Sequence, residues 1–171
     1  MRILTRLLEL FPHDTIKVDG KPYLSRYFLT GRQKSHSLGE RAGARIHCFH
    51  TSDPGPDLHN HPWSGLSIIL SGGYRERRRK VLGEVMVPVG DDEFENKYKR
   101  VQVFSAEEVR TLRPGSVNVI GLEDYHAAEL LDPAKGCWTI FFTGRRKKDW
   151  GFLDSTERFI HWSQYTGRGK T

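Results

Sequence analysis

Leu58-His59-Asn60-His61-Pro62-Trp63, running into Ser64-Gly65-Leu66-Ser67-Ile68-Ile69-Leu70-Ser71-Gly72-Gly73-Tyr74, is the stretch from which the rest of the chain can be read. Two histidines one residue apart share a face if the backbone is extended, because strand side chains alternate with period two. That is half of a metal site. An imidazole binds a divalent ion through one neutral ring nitrogen at about 2.0–2.1 Å, so further ligands must converge from elsewhere in the fold. The strongest downstream donor is His126. It follows a turn at Arg113-Pro114-Gly115, an alternating strand from Ser116 to Ile120 and a second turn from Gly121 to Asp124. His59, His61 and His126 are therefore the expected ligands. His47 is the remaining candidate for a fourth ligand or a supporting partner, whereas His13, His36 and His161 lie in no comparable arrangement.

These residues resemble the two motifs of the cupin superfamily. The first motif reads Gly, five residues, His-x-His, three or four residues, Glu, six residues, Gly. The second reads Gly, five residues, Pro-x-Gly, two residues, His. His59 and His61 match the pair, Gly72 or Gly73 the closing glycine, Gly115 the opening of the second motif and His126 its histidine. Two positions depart from the pattern: the glutamate falls on Gly65 or Leu66, and Gly121 with Glu123 stand in place of Pro-x-Gly. The matching region runs from His47 to Thr143. His-Pro-Trp, the Ile-Leu-Ser-Gly-Gly-Tyr run, Trp150-Gly151-Phe152 and His161-Trp162 also look like a group of small single-domain cupins of bacterial and phage genomes.

The resemblance implies an all-β fold, a cupin barrel of the double-stranded β-helix or jelly-roll type. With three histidines and no carboxylate it implies iron(II) and dioxygen, as in thiol and diketone dioxygenases; zinc, manganese or nickel are the alternatives. Cupins commonly pair through strands, so a homodimer is also implied.

Three neutral imidazoles leave the double charge of an ion uncompensated, so the site should attract a small anionic or chelating substrate. Asp57 and Asp124 each lie two residues before a ligand and share its face if the segments are extended. Either could fix an imidazole tautomer from behind; turn chemistry alone also favours carboxylates at such positions. Ser67 and Ile69 are in phase with the histidine pair and should line the cavity, with Trp63 as a wall. Two other functions stay open. A non-redox isomerase or epimerase needs a general base in the cavity, and a nucleic-acid-binding module would use the basic segments.

A length of 171 residues fits one domain spanning 1–171. No apolar run is long enough to cross a bilayer. Glu9 within the apolar start, with no small-residue cleavage site after it, argues against a signal sequence. Cys48 and Cys137, the only cysteines, read as two buried thiols in a reducing, cytoplasmic compartment, with one disulfide as the alternative. The formal charge of +6 attracts anions and is concentrated in residues 75–80 and 145–148.

Along the chain, residues 1–20 read as a short amphipathic helix from Ile3 to Phe11, stopped by Pro12, and a turn. Residues 21–144 form the barrel. Within it, Thr30 to Gly43 reads as a loop able to act as a flap, and Gly72-Gly73 as the turn of a hairpin. Arg75 to Lys80 reads as an edge strand kept soluble by charge, and Val81 to Arg100 as an insertion with a hairpin or loop. In residues 145–171, Trp150, Phe152, Phe159, Trp162 and Tyr165 should lay the tail across the barrel and close a sheet edge; stacking on nucleobases is the alternative. Gly167 to Thr171 should be disordered.

Overall fold

Strand burial alternates wherever one face of a sheet meets the interior, and β11 (Cys137–Thr143) shows it plainly. Cys137, Thr139, Phe141 and Thr143 are buried, and the residues between them are not. The structure is a computed structural model that describes residues 7–30, 42–88 and 98–166. Before β11 come β1 (His13–Val18), β2 (Lys21–Phe28), β3 (Gly43–Phe49), β4 (Leu58–His59), β5 (Gly65–Ser71) and β6 (Tyr74–Pro88). These are followed by β7 (Tyr98–Phe104), β8 (Glu108–Leu112), β9 (Val117–Ile120) and β10 (Asp124–Leu130). After β11 come β12 (Gly151–Leu153), β13 (Phe159–His161) and a short helix, α1 (Trp162–Tyr165).

The strands form two antiparallel sheets, ordered β1-β2-β3-β11-β5-β9 and β13-β12-β4-β10-β6-β7, with β8 also paired to β6. Together they make a barrel of the jelly-roll type, the fold that the resemblance implied. Ile69 and Cys137 from one sheet pack with Tyr74, Leu112, Ala128 and Leu130 from the other in one buried apolar cluster. A second buried cluster joins Leu58, Tyr125, Ala127 and Leu153. Cys48 and Cys137 are both free and buried. Among the described residues no helix is long and apolar enough to cross a membrane.

Several local expectations change. Residues 13–18 form a strand, and it pairs with β2 around Asp19-Gly20. Asp14, Ile16 and Val18 are the less exposed half of an alternating pattern too short and polar to stand out in the sequence. Of the expected N-terminal helix only the end falls in the described region: Leu7 and Leu8 are helical and a turn follows at Glu9–Leu10, with Leu8 buried and Leu7 exposed. Most of the expected flap from Thr30 to Gly43, the Gly90-Asp91-Asp92 turn and the tail from Gly167 lie outside the described residues.

Gly72-Gly73 is not a hairpin turn. β5 pairs with β11 and β9, whereas β6 pairs with β10, β7 and β8, so the two glycines carry the chain from one sheet to the other. Both have positive φ, +76° and +143°, and a Cβ at either would strike a backbone carbonyl, that of Gly136 or Leu112. Only glycine fits such a corner. Arg75 to Lys80 is likewise not an edge, since this part of β6 runs between β10 and β8. The far half of β6 joins β7 in a long hairpin whose tip lies outside the described residues.

The aromatic tail closes onto the barrel. β12 pairs with β4, and Tyr165 stacks on Phe152 with centroids 3.8 Å apart while its hydroxyl donates to Asp57. Trp150 stacks on Trp162.

Candidate metal centre

β4 is only two residues long, yet it is held from both sides. His59 sits opposite His126 of β10 and opposite Phe152 of β12. Asn60, buried, exchanges two hydrogen bonds with Gly151: its amide N–H donates to the Gly151 carbonyl at 3.1 Å, and its side-chain oxygen accepts the Gly151 N–H at 2.9 Å. Pro62 then turns the chain, and its carbonyl accepts the Lys147 N–H at 2.7 Å. His61 is left stacked on Trp63, centroids 4.5 Å apart, and Trp63 packs on Phe141.

The outcome is that one ring nitrogen from each of His59, His61 and His126 lies within 4.8 Å of the others. The Nε2 atoms of His61 and His126 are 2.8 Å apart. Burial pushes the pKa of His59 down to about 4, with the Asp53 carboxylate acting in the opposite direction. Burial, with the neighbouring rings of His126 and His59, holds His61 well below the ordinary histidine value. Both rings are therefore neutral at pH 7, the state in which a nitrogen lone pair is available to a metal.

A sign follows for stability. The unfolded chain protonates His59 near 6.5, the folded one only near 4, so between these values the unfolded state binds more protons. The stabilising difference is full above pH 6.5 and is lost as pH falls toward 4. For His59 alone the loss is about 3 kcal/mol. Urea unfolding of metal-free protein at pH 7 and pH 4.5 should show it, and equal midpoints would contradict it.

Behind His126 stands Glu76, fully buried. The His126 Nδ1–H donates to Glu76 at 2.7 Å, which turns the Nε2 lone pair toward the other two histidines. Arg78, Arg110 and Asn118 also donate to Glu76, at 3.0, 2.7 and 2.8 Å. Burial alone would raise the Glu76 pKa. The hydrogen bond from His126 and the charge of Arg78 outweigh it and hold the carboxyl well below the usual range. Asp53 lies 3.7 Å from His59 Nδ1, accepts the Ala128 N–H at 2.6 Å and accepts a hydrogen bond from Tyr23. The carboxylate absent from the first cupin motif thus has counterparts one step farther out.

Asp57 and Asp124 do other work. Asp57 accepts from Tyr165, and Asp124 from the Gly121 N–H and Arg78, at 2.9, 2.7 and 3.0 Å. His47, Trp63 and Ser67 all line the cavity beside the histidines, and that cavity has a volume of about 370 Å³. Arg26, Arg45 and Arg146 also reach its wall. Glu76 and Asp53 were not singled out from the sequence. The available signal was parity: Tyr74, Glu76 and Arg78 share one face of β6, and Arg75, Arg77 and Arg79 share the other. Those outward arginines pair with Glu129, Glu107 and Glu157.

No protein-family model and no curated protein matches the chain. Among solved structures it is similar to Fe(II)-HppE with the alternative substrate (S)-1-HPP, at 13% identity and a TM-score of 0.49, covering 77% of this chain and 55% of that one. It is also similar to Streptomyces albus HEPD with 2-hydroxyethylphosphonate and Fe(II) bound, at 11% identity, TM-score 0.49, 79% of this chain and 24% of that. A third is a cupin-2 domain protein of Rhodospirillum rubrum, at 14% identity, TM-score 0.47, 85% of this chain and 77% of that. The chain spans about half the length of the first of these.

Proposed function

We propose that this protein holds a divalent transition metal, iron(II) foremost, through His59, His61 and His126, and acts as a dioxygenase on a small anionic or chelating molecule. The observation that carries the reading is the convergence of three imidazoles on the wall of a cavity whose other polar lining includes Arg26, Arg45 and Arg146. The donor set fits an ion. A separation of 2.8 Å between two Nε2 atoms is what two nitrogens about 2.0–2.1 Å from one centre show when they meet it at about a right angle. Iron(II) held there would supply redox chemistry with dioxygen and positions open to a chelating group.

The remaining work falls to the chain's own residues. Glu76 holds the His126 tautomer, and Asp53 lies behind His59. Of the arginines at the wall, Arg26 is paired with Asp14 and Arg146 with Asp149, and Trp63, Phe141 and Phe152 provide apolar walls that limit water. The basic strand offers a nucleic acid little, because Arg75, Arg77, Arg78 and Arg79 each hold a carboxylate already.

The test is anaerobic titration of iron(II)-loaded protein with small thiols, dicarbonyls and hydroxy acids, followed through the metal's absorption spectrum and then by dioxygen uptake. At least one class should shift the spectrum and consume dioxygen. If none does, the dioxygenase reading fails. One observation favours a second reading, an oxygen-independent isomerase or epimerase: Asp53 and Tyr23 form a hydrogen-bonded pair in the cavity wall, where a general base would be needed. Turnover of a sugar acid indifferent to dioxygen would select it.

A further inference from the structure

The cavity has a second polar feature, separate from the three histidines. His47 Nε2 and Thr139 Oγ1 are both buried, and neither has a hydrogen-bond partner among the described residues. His47 is 6% exposed and Thr139 is 0% exposed, yet both line the cavity. They stand directly opposite each other in the register of β3 and β11, so they share the inward face of the sheet. Buried polar atoms are nearly always paired, and two adjacent exceptions facing one cavity call for a ligand.

The pair is also held in place. The His47 ring stacks on Phe141 at 4.8 Å and meets Phe49 edge-on at 6.0 Å. Phe49 in turn packs against the apolar cluster that fills the barrel. Burial, with the charges of Arg45 and Arg26, keeps His47 neutral, so its ring offers one N–H and one lone pair. Arg26 lies in the same cross-sheet row, opposite His47 on β2. With the His47 proton on Nε2, a ring N–H and a hydroxyl stand side by side and suit an acceptor with negative charge, while Arg26 of the same row is held by Asp14.

We propose that His47 and Thr139 receive the oxyanion end of the molecule whose other end meets the three-histidine centre. This rests on the reading of that centre as the reacting end. The substrate class is thereby narrowed to a small molecule with an oxyanion, a carboxylate or a phosphate-like group, set apart from its reacting atoms.

The probes are acetate and inorganic phosphate, titrated separately into the full chain after chelator treatment, with histidine ring resonances followed by NMR and the His47 signals assigned from His47→Phe. At least one probe should shift the His47 signals saturably, and which one does so distinguishes carboxylate from phosphate. Thr139→Val should weaken that binding about tenfold, the scale of a lost hydrogen bond to a charged group, and Thr139→Ser should retain it. Thr139→Val keeps the volume of the side chain, and its own spectrum reports whether the fold is kept. The proposal is overturned if neither probe shifts His47, if shifts appear only at His61 and His126, or if Thr139→Val binds like wild type. Metal uptake is measured separately. Uptake without probe binding rejects the oxyanion pair alone, and probe binding without uptake rejects the metal centre and leaves the pair standing as an anion site.

Discussion

His126→Ala should abolish metal retention, with a loss of affinity beyond the 10–100-fold expected for a residue that only supports a ligand. The expectation rests on position. His126 is buried, faces His59 across the β4–β10 ladder, and puts its Nε2 2.8 Å from that of His61. Two histidines on one short, bent segment cannot replace it. Elemental analysis per chain, beside wild type purified without tag or chelator and reloaded with iron, zinc, manganese or nickel, measures the effect. The variant should still fold, because Glu76 keeps Arg78, Arg110 and Asn118 as donors. Wild-type metal content in a folded variant would remove His126 from the site.

Glu76→Ala should be the most destabilising single change in the barrel, by about 3–5 kcal/mol, the cost of removing one partner of a buried ion pair. Arg78, with a side chain only 12% exposed, would lose one of its two carboxylates, and the His126 Nδ1–H would lose its acceptor. Metal affinity should fall about 10–100-fold in Glu76→Gln, which keeps the volume and removes the charge that polarises His126. Glu129→Ala is the control. Its pair with Arg75 has side chains more than half exposed, and such pairs contribute about 1 kcal/mol or less. Urea unfolding and competitive metal titration measure both effects. If Glu76→Ala and Glu129→Ala were equally mild and Glu76→Gln bound metal like wild type, the network behind His126 would be incidental.

The contrast between those two glutamates shows where sequence reading stopped. Arg75 to Lys80 has the composition of a solvated basic strand, and Glu76 looks like one acid among bases. Pairing of this part of β6 between β10 and β8 sends Glu76 and Arg78 inward and Arg75, Arg77 and Arg79 outward. Gly72-Gly73 was misleading for a related reason. Two glycines between two strands look alike whether the chain folds back on one sheet or crosses to the other, and the choice is made by contacts to Gly136 and Leu112, far away in sequence. The tail was more legible. Its aromatics had to find apolar surface, and Phe152 and Tyr165 find it beside β4.

By itself the sequence determined the all-β class, the positions of most strands from Tyr23 onward, and the three histidines as one candidate cluster, because period-two alternation, turn residues and His-x-His spacing are local properties of the chain. Only the tertiary structure decided which carboxylates stand behind those histidines, that Asp57 and Asp124 hydrogen-bond elsewhere, and that His47 and Thr139 face one cavity without partners. The physical reason is register. Strands distant in sequence meet through backbone hydrogen bonds, and a shift of one residue would exchange every inward side chain for an outward one.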